Sequence, residues 1–81
     1  MLNERRADVR QNVNRPAKFQ ESPTALIRDC TIREISGKGV RLVIPGGLAS
    51  DKFTLFDSGA FRRRCMVIWR LGEVVGARFE K

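Results

Sequence analysis

Residues 65–79, CMVIWRLGEVVGARF, decide the fold class. Cys65, Val67, Trp69 and Leu71 recur at every second position, with Arg64, Met66, Ile68 and Arg70 between them. That period of two belongs to a β-strand with one buried face. Leu71-Gly72-Glu73 then reads as a hairpin turn, and Val75, Ala77 and Phe79 point inward from the returning strand. Working outward, Phe53 and Leu55 mark an earlier strand stopped by Asp57-Ser58-Gly59. Val40, Leu42 and Ile44 alternate with Arg41 and Val43 and end at Pro45-Gly46-Gly47. Ser36-Gly37-Lys38-Gly39 reads as a tight turn whose glycines supply positive φ. Before it lies a long run from Ala25 to Ile35, with a bulge expected where the alternation slips at Asp29-Cys30. The first strand is Ala17-Lys18-Phe19-Gln20, closed by Glu21-Ser22-Pro23. Nothing sustains helical periodicity. The expectation is an all-β domain, a small six-stranded antiparallel β-barrel, closed because closure removes exposed strand edges.

The 81 residues suffice for one domain. Residues 1–15 hold four arginines and three asparagines, with Leu2, Val9 and Val13 as their sizeable apolar groups. Such a stretch buries too little to offset its ordering entropy, so it is expected to be a flexible arginine-rich arm, with the barrel spanning 16–81. Sixteen Lys and Arg against nine Asp and Glu give a net charge of +7, which favours anionic partners. Histidine is absent, which removes imidazole acid–base chemistry and histidine-ligated metals. Cys30 and Cys65 are too few for a zinc site and read as small buried hydrophobes. Carboxylates are scattered singly, and no nucleophile, base and orienting group stand together, so neither an enzyme nor a cofactor is expected. The opening residues lack the apolar core of a secretory signal, and the longest apolar run, Met66-Val67-Ile68-Trp69, is far short of a membrane span. A cytoplasmic protein without membrane insertion is expected. Trp69 reads as core packing, and Arg62-Arg63-Arg64 as a solvated face rather than a nucleic-acid patch.

Two clusters remain. Arg5-Arg6-Ala7-Asp8-Val9-Arg10 places Arg6 and Arg10 four apart on the arm, and Glu34-Ile35-Ser36-Gly37-Lys38-Gly39 runs a polar strand end into the glycine turn. In this order they resemble the PilZ domain, a bacterial receptor for cyclic di-GMP. That family carries R-x-x-x-R on an N-terminal arm and [D/N]-x-S-x-x-G at a later strand end. Arg6 and Arg10 satisfy the first motif, Ser36 and Gly39 most of the second, and 65–79 resembles the family's final hairpin. The departure is Glu34, which stands where the family has Asp or Asn.

The resemblance implies a six-stranded barrel that binds cyclic di-GMP through Arg5, Arg6, Arg10, Glu34, Ser36, Gly37 and Gly39. Glu34 would accept hydrogen bonds from a guanine edge, its extra methylene moving the acceptor outward by about a bond length. An arginine at position 5 goes, in that family, with capture of a stacked pair of ligands. Arginine suits the chemistry, since it grips phosphate by paired charge-assisted bonds, forks onto guanine O6 and N7, and stacks on purines. Ser36 and the backbone amides of Gly37 to Gly39 would complete the site. The implied function is a receptor whose arm orders on the ligand and which signals through an effector protein, in motility, exopolysaccharide or biofilm control. Two alternatives stand beside it: a PilZ-like protein-interaction adaptor that has lost the ligand, and a small basic nucleic-acid-binding barrel. The last is disfavoured because no aromatic-rich strand is available to stack bases.

Overall fold

The computed structural model describes residues 11–57 and 61–80. Six strands form: β1 (Gln11–Gln20), β2 (Arg28–Ile35), β3 (Gly39–Val43), β4 (Lys52–Asp57), β5 (Phe61–Leu71) and β6 (Val74–Phe79). They close into an antiparallel barrel in the order β1-β2-β3-β6-β5-β4, with β4 returning to β1. Among the described residues there is no helix, and so none long and apolar enough to cross a membrane.

Closure follows from the alternation. Phe19, Cys30, Ile32, Val40, Leu42, Phe53, Leu55, Cys65, Val75 and Ala77 all point inward and fill one core. Phe19 and Phe53 meet edge to face at its centre, with ring centroids 6.0 Å apart. In the closed order β3 and β4 lie on opposite sides of the barrel, so the segment joining them must cross one pole. Ile44 and Leu48, both buried, plug that pole as the segment passes. Arg28 seals it: its guanidinium lies 5.0 Å from the Phe19 ring centroid and donates to the carbonyls of Pro45 and Gly47 and to Glu21. Gly46 and Gly47, at φ 84° and 80°, make the sharp bend there, which L side chains adopt only with strain.

The opposite pole collects the start of β1, the β2–β3 turn and the end of β6. Here the sequence expectations need correction. β1 begins at Gln11, not Ala17, because Val13 packs on the core and Arg15 finds an acid. Arg15 donates from Nε and Nη2 to both oxygens of the buried Asp57, at 3.0 and 2.7 Å. Residues 11–15, assigned above to the arm, are therefore strand. No bulge occurs at Asp29-Cys30, which pair regularly with Lys18 and Ala17; the shift falls between Ile32 and Glu34 instead. The apparent slip upstream arises because Ile27 is exposed and precedes the strand.

A third correction concerns β5. Its pairing with β6 shifts between Val67 and Trp69, so Cys65 and Val67 face the core while Trp69 and Leu71 turn outward. Trp69 is 44% exposed and is not a core residue. The arginine run also divides. Arg62 and Arg64 face out, while Arg63 lies on the inward parity, 4.1 Å from the Phe79 ring centroid.

The core makes two predictions. Phe19→Ala removes a fully buried ring and should cost about 3–5 kcal/mol, read from the midpoint of urea unfolding. Cys30 and Cys65 are free thiols whose pKa values are each pushed up to about 12, first by burial; Asp29 and Asp57 add to the effect at Cys30. Unfolded thiols ionise near about pH 8.5, so this contribution to stability is present below that pH and is lost as pH rises toward 12. Neither thiol should react with a disulfide reagent at about pH 8 until the chain unfolds.

Candidate functional site

The β2–β3 turn forms one lip of an open groove of about 780 Å³. It runs from the pole carrying Phe79 and Arg63 onto the outer face of β3, β6 and β5. Strand register fixes what lines it. Glu34 lies opposite Arg41, Arg41 opposite Gly76 and Gly76 opposite Trp69, one continuous outward row across four strands. The neighbouring row sets Gly39 opposite Arg78 and Arg78 opposite Met66.

Glycine is required twice in these rows, each time for space. A Cβ on Gly39 would meet the carbonyl oxygen of Ala77 at 2.4 Å, so β3 and β6 approach this closely only without a side chain there. A Cβ on Gly76 would fall 2.2–2.7 Å from the Trp69 indole, which therefore lies directly on the bare strand with its other side turned to the groove. Neither Gly37 nor Gly39 has positive φ, contrary to the turn expected above. Gly37 has open space where its side chain would be.

Ser36 organises the turn. Its Oγ accepts from the amides of Lys38 and Gly39, both at 3.2 Å, and its own amide donates to the Gly39 carbonyl at 2.9 Å. The Lys38 and Gly39 amides are thus committed within the turn and are not offered to a ligand, which revises their expected role. A hydroxyl oxygen that accepts twice keeps its proton for donation, so Ser36 can act on a ligand as a donor. Glu34 is half-buried, and its Oε2 accepts from Arg41 Nη2 at 3.0 Å. The pair presents a guanidinium fork and a carboxylate side by side.

Four cations and two carboxylates line the groove among the described residues: Lys38, Arg41, Arg63 and Arg78 against Glu34 and Glu80. Both acids sit beside cations, Glu34 at Arg41 and Glu80 3.6 Å from Lys52. The surface therefore attracts anions, and with Trp69 and Ile68 along one wall it also offers apolar contact. Glu34, Ser36, Gly37 and Gly39 all belong to it. Arg5, Arg6 and Arg10 lie outside the described residues. The register places their attachment point: Gln11 pairs with Ile35 and Asn12 with Glu34, so the chain enters β1 beside the turn.

Arg41, Arg63, Arg78 and Trp69 were not singled out as site residues from the sequence. One signal was available, Gly76 in the middle of a strand, since such a glycine marks the close approach of another group. No family model matches the chain, and no curated protein matches it.

Because Trp69 is the chain's single tryptophan, its emission reports on this groove alone. Gly76→Ala should displace the indole rather than the strand, at a cost of about 1–2 kcal/mol. A shifted emission maximum in a still-cooperative unfolding transition is the expected result.

Proposed function

We propose that this chain is a PilZ-type binding module for cyclic di-GMP, acting as a receptor and adaptor rather than an enzyme. The observation that carries this reading is the register of β1 against β2, which roots the arginine-bearing leader at the Ser36 turn, on the lip of a basic groove. Arg10 directly precedes Gln11, and Arg6 is five residues before it, within about 17 Å even along extended chain. Both guanidiniums can therefore reach a phosphodiester held in the groove. Arg41 and Arg78 supply further donors, Ser36 its hydroxyl proton, and the Trp69 indole a platform for a purine. Binding would draw the leader across the groove, an order change that alters the surface offered to an effector. Cytoplasmic second-messenger signalling, in motility, exopolysaccharide or biofilm control, belongs to the same reading.

One observation favours the second reading, an adaptor that no longer takes the nucleotide. The Glu34 carboxylate, which would accept from guanine, is already engaged by Arg41. A base edge must share or displace that bond.

Titration with cyclic di-GMP separates the two. The receptor reading expects saturable change in Trp69 emission, weakening as salt rises, and a loss of about 100-fold or more in affinity for Arg10→Ala, the worth of two charge-assisted hydrogen bonds. Emission unchanged up to about millimolar ligand at low salt would assign the chain to the adaptor reading.

A further inference from the structure

The wall of the groove that carries Glu34 and Arg41 has the donor and acceptor pattern of a base reader. The two residues are direct cross-strand neighbours, so their side chains leave the barrel side by side, and Arg41 Nη2 donates to Glu34 Oε2 at 3.0 Å. Their side chains are only 39% and 24% exposed, which restricts the directions either can take. The extra methylene of Glu34 carries its carboxylate across to β3. The bond to Arg41 uses one of about four lone-pair sites on that carboxylate and one of several guanidinium N–H groups. Each partner therefore holds the other in place and keeps capacity for a ligand, so a base edge shares the bond rather than displacing it.

The same row sets an aromatic face beside the pair. Gly76 lies opposite Arg41, and Trp69 opposite Gly76. The indole occupies the space of the missing Gly76 side chain, and directly opposed positions stand about 5 Å apart, so the ring lies next to the Arg41 stem. A planar ligand stacked on the indole turns its edge first toward the guanidinium fork and then toward the carboxylate. Guanine matches that sequence of groups: O6 accepts, while N1–H and the N2 amine donate. Adenine opposes it, because its N6 amine donates where Arg41 donates and its N1 accepts where Glu34 accepts.

Arg78 is placed differently. It lies in the neighbouring row, opposite Gly39 and Met66, and no ion pair among the described residues includes it. A guanidinium without a carboxylate beside it suits a phosphate and carries no base preference.

We propose that Arg41, held by Glu34, sets the base preference of the groove: the pair reads the O6, N1 and N2 edge of a guanine stacked on Trp69, and Arg78 serves the phosphate. The inference rests on the receptor reading and adds to it a residue outside the motifs that suggested that reading. Calorimetric titration of the full chain with cyclic di-GMP and cyclic di-AMP, which share a phosphodiester ring and differ in the base, tests it. Wild-type chain should prefer the guanine ligand by at least about tenfold, the worth of one paired base contact. Arg41→Gln and Arg41→Lys should both lose most of that preference, lysine because it keeps the charge without the fork. Arg78→Gln should weaken both ligands and leave their ratio unchanged. A general loosening of the groove lowers both affinities together, so the ratio separates it from lost base reading. Equal binding of the two ligands, a preference for adenine, or a preference undiminished in both Arg41 variants would overturn the inference and leave the receptor reading standing. Loss of all binding in both Arg41 variants would also overturn it, since a base-reading residue leaves the phosphate contacts intact. Wild-type chain that binds neither dinucleotide overturns the receptor reading itself, and this inference with it.

Discussion

Closure of the barrel depends on how β1 serves two neighbours. It pairs with β2 over most of its length but meets β4 only through Lys18, Phe19 and Gln20. Where the strands part, the backbone ladder is replaced by the two hydrogen bonds from Arg15 to Asp57. Asp57 is the one charged side chain in the buried set of the described residues, and a buried carboxylate is tolerable only when paired and hydrogen-bonded. That contact holds the beginning of β1 against the end of β4, and with it the place where the leader joins the fold. The geometry of the groove follows from this one joint.

The two poles are built differently. At one, left-handed glycines, Arg28 and a crossing segment with Ile44 and Leu48 leave the core sealed by short hydrogen bonds. At the other, Arg63 lies over Phe79, Ser36 holds its own turn, and the lining is basic and open. A small domain has little stability to distribute. Here the ordered packing is concentrated away from the groove, and the polar side chains gather where the chain's leader attaches.

Much of the barrel was legible because alternation is a local signal. Val40, Leu42, Phe53, Leu55 and Cys65 lie on the alternating positions that were read as strands, Val75 and Ala77 were read as inward-facing, and Gly72 falls in the turn read as a hairpin, where it takes a φ of 60°. What failed was non-local. Nothing near Arg15 in sequence shows that Asp57 will meet it, so a strand was read as part of the arm. Nothing in residues 65–71 shows where the ladder with β6 shifts, and one residue of slip was enough to turn Trp69 from core to surface. The site was legible as a motif at Glu34, Ser36 and Gly39. Its other wall was not, because Arg41, Arg78 and Trp69 reach it only through pairings across three strands.

Gly37 occupies an unusual position in this arrangement. It sits on the lip of the groove with negative φ, and nothing lies within 4 Å of where a side chain would begin. Its neighbour Gly39 is locked by the carbonyl of Ala77, and the far pole by backbone that only glycine tolerates comfortably. Natural variation at position 37 can consequently install almost any substituent over the groove without touching the scaffold. Descendants of this sequence could thus diverge in ligand preference through a single codon while inheriting an unaltered barrel.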